Sequence, residues 1–298
     1  MVSPEAVSRV LSQRTYALRE RGWFESFVEN LPLVRQESSA MSLEPVDGPV
    51  VVVGAGPSVN GFDVGLLKGF NVFSCDKMLI PLLKHGVVPR IVASLDGDSM
   101  VAGFYDDPLV DRHRGEVKAC LATYVHPSAV RRVPFKRYWF NVIMGDDPTD
   151  SSKPSVTRAM HWMSNGKCMM MGLGNVGGWL WGLAVELKAS PIILLGIDFS
   201  YGEESSPLNT PYWNGLLSLF KGDKKRTIAH CYRYETTPFG KRVLTDIVFD
   251  SYRAVLMQAV KAVGVAVWNC SPYSIVHGEG VTTLGFRDVL SAAPVGDG

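Results

Sequence analysis

Four consecutive valines, Val50 to Val53, run directly into Gly54, and this run limits the fold more than any other feature of the chain. A β-branched tetrad with no polar face reads as a strand covered on both sides, as strands are inside a parallel sheet. The theme recurs at Asn71–Cys75, Arg90–Leu95, Glu116–Thr123, Arg137–Val142, Ile192–Gly196 and Val265–Asn269. Between these stretches lie segments of helical character: Val59–Lys68, Lys77–His85, Val176–Lys188 and Asp246–Val263. Strands alternating with helices predict βαβ units with right-handed crossovers. The expected fold class is therefore α/β, with a Rossmann-like, mostly parallel sheet and helices on both faces.

Ahead of the valine run, residues 4–30 read as a helix, with Val7, Val10, Leu11, Leu18, Phe24, Phe27 and Val28 at roughly helical spacing. Leu31 to Gly48 contains Pro32, Pro45 and several serines without a period, and reads as a linker. The organisation predicted is an N-terminal helical appendage with linker, residues 1–48, followed by one α/β domain, residues 49–298. Residues 201–240, rich in Gly, Pro, aromatics and charge, read as an excursion or lid within that domain.

Composition narrows the partners. Across 298 residues, 30 Lys+Arg stand against 29 Asp+Glu, a formal net charge of +1, so the basic excess of a duplex nucleic-acid binder is missing. An apolar fraction of 46% excludes global disorder. Cys75, Cys120, Cys168, Cys231 and Cys270 show no CxxC or Cys/His spacing, which fits scattered thiols in a reducing compartment and neither a zinc site nor a disulfide framework. The N-terminus has no apolar h-region, and the most apolar stretch, Gly177–Gly196, is broken by Glu186, Lys188 and Pro191. These features lead to the expectation of a cytoplasmic protein with no membrane and no nucleic acid among its partners; self-association into a homo-oligomer stays open.

The strand ends carry the chemistry, because ligands of open parallel sheets bind beyond the carboxyl ends of the strands. Gly54-Ala55-Gly56-Pro57-Ser58 follows the valine run; its glycines allow close approach to a phosphate, and Ser58 is placed to cap the next helix. Asp76, with Lys77 beside it, stands about 20 residues further on, where dinucleotide folds place a ribose-binding acid, but Val59 occupies the third glycine position of that fingerprint. Ser94-Leu95-Asp96-Gly97-Asp98 offers two carboxylates to one hard cation, or else a turn with Asp98 as a cap. Leu195-Gly196-Ile197-Asp198-Phe199-Ser200-Tyr201 is another strand ending in an acid, and Gly172-Leu173-Gly174-Asn175-Val176-Gly177-Gly178 precedes a helix. His230 and Tyr201 are candidates for acid/base or substrate-orienting roles, and Lys221, Lys224, Lys225 and Arg226 for a basic loop facing the acids.

The series VVVGAGPSVN, FSCDK, PRIVASLDGD, GLGNVGG and PIILLGIDFSYG resembles the MptE-like family, and the tail VWNCSPYSIVHGEGVTTLGF is similar to its closing segment. Characterised archaeal members are 6-hydroxymethyl-7,8-dihydropterin diphosphokinases of folate- and methanopterin-type cofactor biosynthesis. The family also includes the core of motility-associated glycosyltransferases and shares a fold with bacterial sialyltransferases. The resemblance implies that residues 49–298 form a nucleotide-binding catalytic domain. Its activity would be Mg2+-dependent transfer of diphosphate from ATP to a small pterin alcohol, with release of AMP. It would place Mg2+ on Asp96 and Asp98, with Asp198 as a further catalytic acid and His230 as a catalytic group. It would place the nucleotide against Gly54, Gly56, Pro57, Ser58, Asp76, Lys77, Gly174, Asn175, Val176, Gly177 and Tyr201. A nucleotide-sugar-dependent glycosyltransferase and a non-catalytic nucleotide-binding module stand as alternatives, with a flavin or nicotinamide oxidoreductase more distant because of Val59.

Overall fold

The computed structural model describes residues 4–143 and 146–292, with side chains from residue 19 onward. The strands, in chain order, are β1 (Ser38–Ser39), β2 (Val50–Val53), β3 (Asn71–Cys75), β4 (Ile91–Ser94), β5 (Lys118–Ala122) and β6 (Lys136–Val142), followed by β7 (Met169–Met170), β8 (Ile192–Leu195), β9 (Tyr232–Thr236), β10 (Arg242–Asp246), β11 (Val267–Asn269) and β12 (Val281–Thr283). Ten of them form one sheet of order β1-β6-β5-β4-β3-β2-β8-β11-β12, with β7 also on β6. Its pairings are parallel, from Val50↔Asn71 on one side of β2 to Val50↔Ile192 on the other. The predicted α/β class and mostly parallel sheet are what the chain adopts.

Val50 to Val53 and Ile192 to Leu195 are all fully buried, because helices cover both faces of these central strands. At ~25 cal/mol per Å2, burying such side chains contributes roughly 1.5–3 kcal/mol each against an exposed reference. The helix Val176–Glu186 is buried over Gly177–Trp181, Leu183 and Ala184, and Trp179 stacks on Phe140 with ring centroids 3.9 Å apart.

From β2 the chain winds outward through β3, β4, β5 and β6, then returns to the other side of β2 as β8. The order therefore reverses between β2 and β8. In an open α/β sheet such a reversal places a crevice outside the carboxyl edge.

The N-terminal appendage is one helix, Pro4–Gln36. Val7, Val10, Leu11 and Leu18, predicted for its apolar face, lie outside the described side chains. Phe27, Asn30 and Val34 face inward and are buried. Asn30 donates to the carbonyls of Thr123 (3.1 Å) and Val125 (2.8 Å), which pins the helix to the end of β5. The helix continues through Pro32, so the expected linker from Leu31 is partly helical. Tertiary contacts outweigh the proline there: Arg35 donates to the Met163 carbonyl at 2.7 Å, and Glu37, just past the helix end, accepts from Arg137 and from the Trp139 indole at 2.7 Å. The remainder of that stretch contributes β1 to the sheet edge.

Two further expectations are corrected. Val59–Lys68 is not an α-helix but two short 3-10 turns, Pro57–Val59 and Val64–Leu67, separated by Gly61 at φ +79° and capped by Asp63. The excursion forms regular elements: helices Trp213–Leu219 and Lys224–Cys231, then an antiparallel hairpin of β9 and β10 ending at Asp246. Leu216, Cys231, Ile247 and Val248 give it a small core of its own. Polar residues on its outer faces hid these elements from a periodicity reading.

Candidate active site

Because the sheet is parallel, the carboxyl ends of β2, β3, β4 and β8 open on one edge, and their loops surround a cleft of about 340 Å3. Gly54, Ala55 and Gly56 form one wall. Cys75 ends β3 with Asp76 and Lys77 just beyond it, and Asp96, Met100, Val101 and Phe104 follow β4. The start of the helix Val176–Glu186 brings Asn175, Val176 and Gly177, and the turn after β8 brings Gly196 to Ser200. Phe249, from the helix Ile247–Val263, closes the far side.

The glycines at the floor serve the fold first. Gly54 N–H donates to Leu195 O (2.8 Å) and Gly56 N–H to Gly196 O (2.9 Å), so the two loops are bonded across the switch point. A Cβ on Gly54 would sit 2.4 Å from Gly196 O, and one on Gly56 would sit 2.5 Å from Asp198 Oδ2. The expected helix cap at Ser58 takes another form. Ser58 is buried, its N–H donates to Asp198 Oδ2 at 2.6 Å, and its Oγ accepts from Tyr273 N–H at 2.9 Å.

Two buried acids meet the cleft. Asp198 Oδ1 has no hydrogen-bond partner among the described residues, and burial pushes the carboxyl up to about 6 against the pull of the Ser58 N–H and the Ser58 hydroxyl. Asp76 accepts from Lys77 N–H (2.8 Å) and Ser94 Oγ (2.7 Å), and burial likewise raises it to about 6. Acids raised by burial in a crevice are candidates for functional groups. Cys75 is raised to about 12 by burial and is no thiolate nucleophile. Phe199 follows Asp198 at φ +51°, a left-handed conformation that costs a non-glycine residue roughly 1–3 kcal/mol and clusters at such sites.

The structure brings Gly54, Gly56, Asp76, Lys77, Asp96, Asn175, Val176, Gly177 and Asp198 together. It does not bring the others. Pro57 opens a 3-10 turn, and Gly174, at φ +83°, lies against the Tyr252 ring. The Tyr201 hydroxyl donates to Asp246 Oδ2 at 2.7 Å, in the framework behind the cleft. His230 is exposed on the helix Lys224–Cys231, where its Nδ1 lies 3.0 Å from Arg226 O.

Asp96 and Asp98 are each engaged within the protein through one oxygen. Asp96 is exposed, pairs with Arg19 at 3.0 Å and accepts from Asp98 N–H; Asp98 caps the following turn by accepting from Met100 N–H at 2.9 Å. No cluster of three or more His, Cys, Asp or Glu able to hold a metal ion occurs among the described residues.

Sequence reasoning missed the apolar walls, Met100, Val101 and Phe104 on one side and Phe199 and Phe249 on the other, and the reach of Arg19 to the rim. An apolar residue carries no signal that separates a cleft wall from a core.

A reversal of strand order, glycine turns bonded across it and helix starts at a shared crevice define an α/β fold of the Rossmann-like class. Residues 25–204 match the family model described as 6-hydroxymethylpterin diphosphokinase MptE-like. The chain belongs to that family, whose description is that of a transferase. Among solved structures, the Maf glycosyltransferase of Magnetospirillum magneticum AMB-1 matches at a TM-score of 0.54 and 16% identity over 89% of this chain. The match spans only 38% of that protein's length. A point mutant of the α-2,3/8-sialyltransferase CstII matches at 0.34 and 12% identity, over 76% of this chain and 83% of the other. No curated protein sequence matches the chain. Among the described residues no helix is long and apolar enough to cross a membrane.

Proposed function

We propose that the chain is a nucleotide-dependent transferase whose donor lies in the switch-point cleft. The observation that supports this most is the meeting of the Gly54–Gly56 turn with the starts of two helices, Asp76–Lys84 and Val176–Glu186, where the strand order reverses between β2 and β8. Helix starts present free N–H groups and a positive dipole end to an anion.

The transferred group we favour is a glycosyl unit from a nucleotide sugar. Transfer from a triphosphate depends on neutralising its charge. Here Lys77 is the one cation among the described residues lining the cleft, against the acids Asp76, Asp96 and Asp198, and Arg19 and Met100 N–H already engage Asp96 and Asp98. A donor of lower charge suits that balance. The similarity to a glycosyltransferase fold is in keeping with this reading.

The second reading is diphosphate transfer from ATP to a hydroxymethylpterin. The family description favours it, and so do the facing walls of Met100, Phe104 and Phe249, which suit a flat ring.

The deciding experiment offers the purified chain CMP-, UDP- and GDP-sugars in one arm. In the other it offers ATP, magnesium and 6-hydroxymethyl-7,8-dihydropterin. Free nucleotide released from a nucleotide sugar, and not AMP above a pterin-free control, is the expected result. AMP that depends on the pterin reverses the choice, and no stabilisation by any nucleotide overturns the transferase reading altogether.

A further inference from the structure

The wall formed by Asp198 and the helix start at Val176 holds two complementary unmet needs. Asn175 caps this helix of 11 residues by accepting from Gly178 N–H at 3.0 Å. Val176 and Gly177, in the first turn, have N–H groups with no acceptor inside the helix. A Cβ on Gly177 would lie 2.2 Å from Ile197 Cδ1, so this helix start abuts the turn that carries Asp198. Asp198 is 2% exposed and lines the cleft, and among the described residues its Oδ1 has no hydrogen-bond partner while Oδ2 accepts from Ser58 N–H.

A phosphate satisfies the amides but not the acid, since phosphate oxygens are acceptors and the carboxylate would repel them. Oδ1 is met either by a cation or by a group that carries an O–H or N–H, and an uncharged ligand group meets it only in the second way. A nucleoside 5′-phosphate supplies both within one unit: an anion for the amides and a sugar hydroxyl for the acid. Asp76, the residue at the usual ribose-acid position, is less free for this task because both its oxygens already accept protein hydrogen bonds.

We propose that Val176, Gly177 and Asp198 form a ribose-phosphate subsite in which Asp198 Oδ1 accepts a hydrogen bond from a sugar hydroxyl, making the cleft selective for ribonucleotides. This rests on the nucleotide reading above and names what that reading leaves open, the part of the nucleotide that is recognised. In Asp198→Asn the amide oxygen must still face Ser58 N–H, so the NH2 falls at the Oδ1 position and the free acceptor becomes a donor. Val176→Pro suits the backbone, because Pro is favoured at the first helical position and Asn175 ahead of it is extended (φ −161°, ψ 168°). It deletes one amide donor.

The test is calorimetric titration of AMP, CMP, GMP and UMP, each beside its 2′-deoxy and 3′-deoxy form, on the intact chain. For the tightest ligand, loss of one hydroxyl is expected to weaken binding about tenfold or more, the worth of a bond to a charged acceptor. Asp198→Asn should cut that preference below about threefold, whereas Val176→Pro should weaken every monophosphate and keep the preference. Equal binding of ribo and deoxy forms by the native chain overturns the proposal even if neither variant folds, and so does a preference that survives in folded Asp198→Asn. If none of the nucleotides binds, it is the nucleotide reading itself that fails.

Discussion

The main-chain N–H of Ser58 donates to the Asp198 carboxylate at 2.6 Å, joining the loop after β2 to the loop after β8. This bond crosses the point where the sheet reverses its order, and it fixes one oxygen of the acid while leaving the other in need of a partner. The close approach it requires explains Gly56, whose Cβ would lie 2.5 Å from that carboxylate.

Gly54 and Gly196 hold the same junction. A Cβ on either falls 2.4 Å from the carbonyl oxygen of the other, and Gly196 also has φ +71°. Gly54→Ala and Gly196→Ala should each cost about 2–4 kcal/mol, since backbone cannot yield as a side-chain tip does. Gly177→Ala meets a side-chain tip, Ile197 Cδ1, at 2.2 Å and Asn175 Oδ1 at 3.1 Å, and should cost less, about 1 kcal/mol. Urea titrations of the three variants check the order.

Asp76 is a buried acid kept at a loss. Its folded value, about 6, lies above the unfolded 3.8, so between those values the folded state binds more protons than the unfolded. Its contribution is full below about pH 4 and is lost as pH rises through about 6. Asp76→Asn, whose amide can still accept from Lys77 N–H and meet Ser94 Oγ, should flatten stability against pH in that window. At pH 7.5 it should raise stability on the order of 2 kcal/mol. Denaturation at several pH values measures both effects, and a less stable variant at pH 7.5 would refute the account.

Asn30 ties the N-terminal helix to two carbonyls at the end of β5. Asn30→Ala leaves those carbonyls unmet in a buried place and should cost about 1–3 kcal/mol. Thermal melting gives the loss, and hydrogen exchange should quicken first in the helix segment around Phe27 and Val34.

His230 is exposed and served by the carbonyl of its own helix. His230→Ala should change stability by less than about 0.5 kcal/mol and leave turnover of the donor untouched. A large loss of activity would return this histidine to the site.

The sequence by itself determined the sheet. Short β-branched runs such as Val50–Val53 and Ile192–Leu195 are apolar on every side, and only a layer with helices on both faces buries them so fully. Parallel pairing then sends their carboxyl ends to one edge, so Gly54, Asp76, Asp96 and Asp198 were legible as neighbours before any coordinate. What the sequence could not decide was how each group spends its hydrogen bonds. Asp96 and Asp98 have the spacing of a cation clamp, yet Arg19 and Met100 N–H engage them. Ser58 has the place of a cap, yet it serves Asp198 and Tyr273. Those partners lie up to 215 residues apart along the chain, and no local pattern encodes them. Tertiary structure alone decided which acid keeps a free oxygen, because that depends on which distant N–H groups the closed sheet brings within reach.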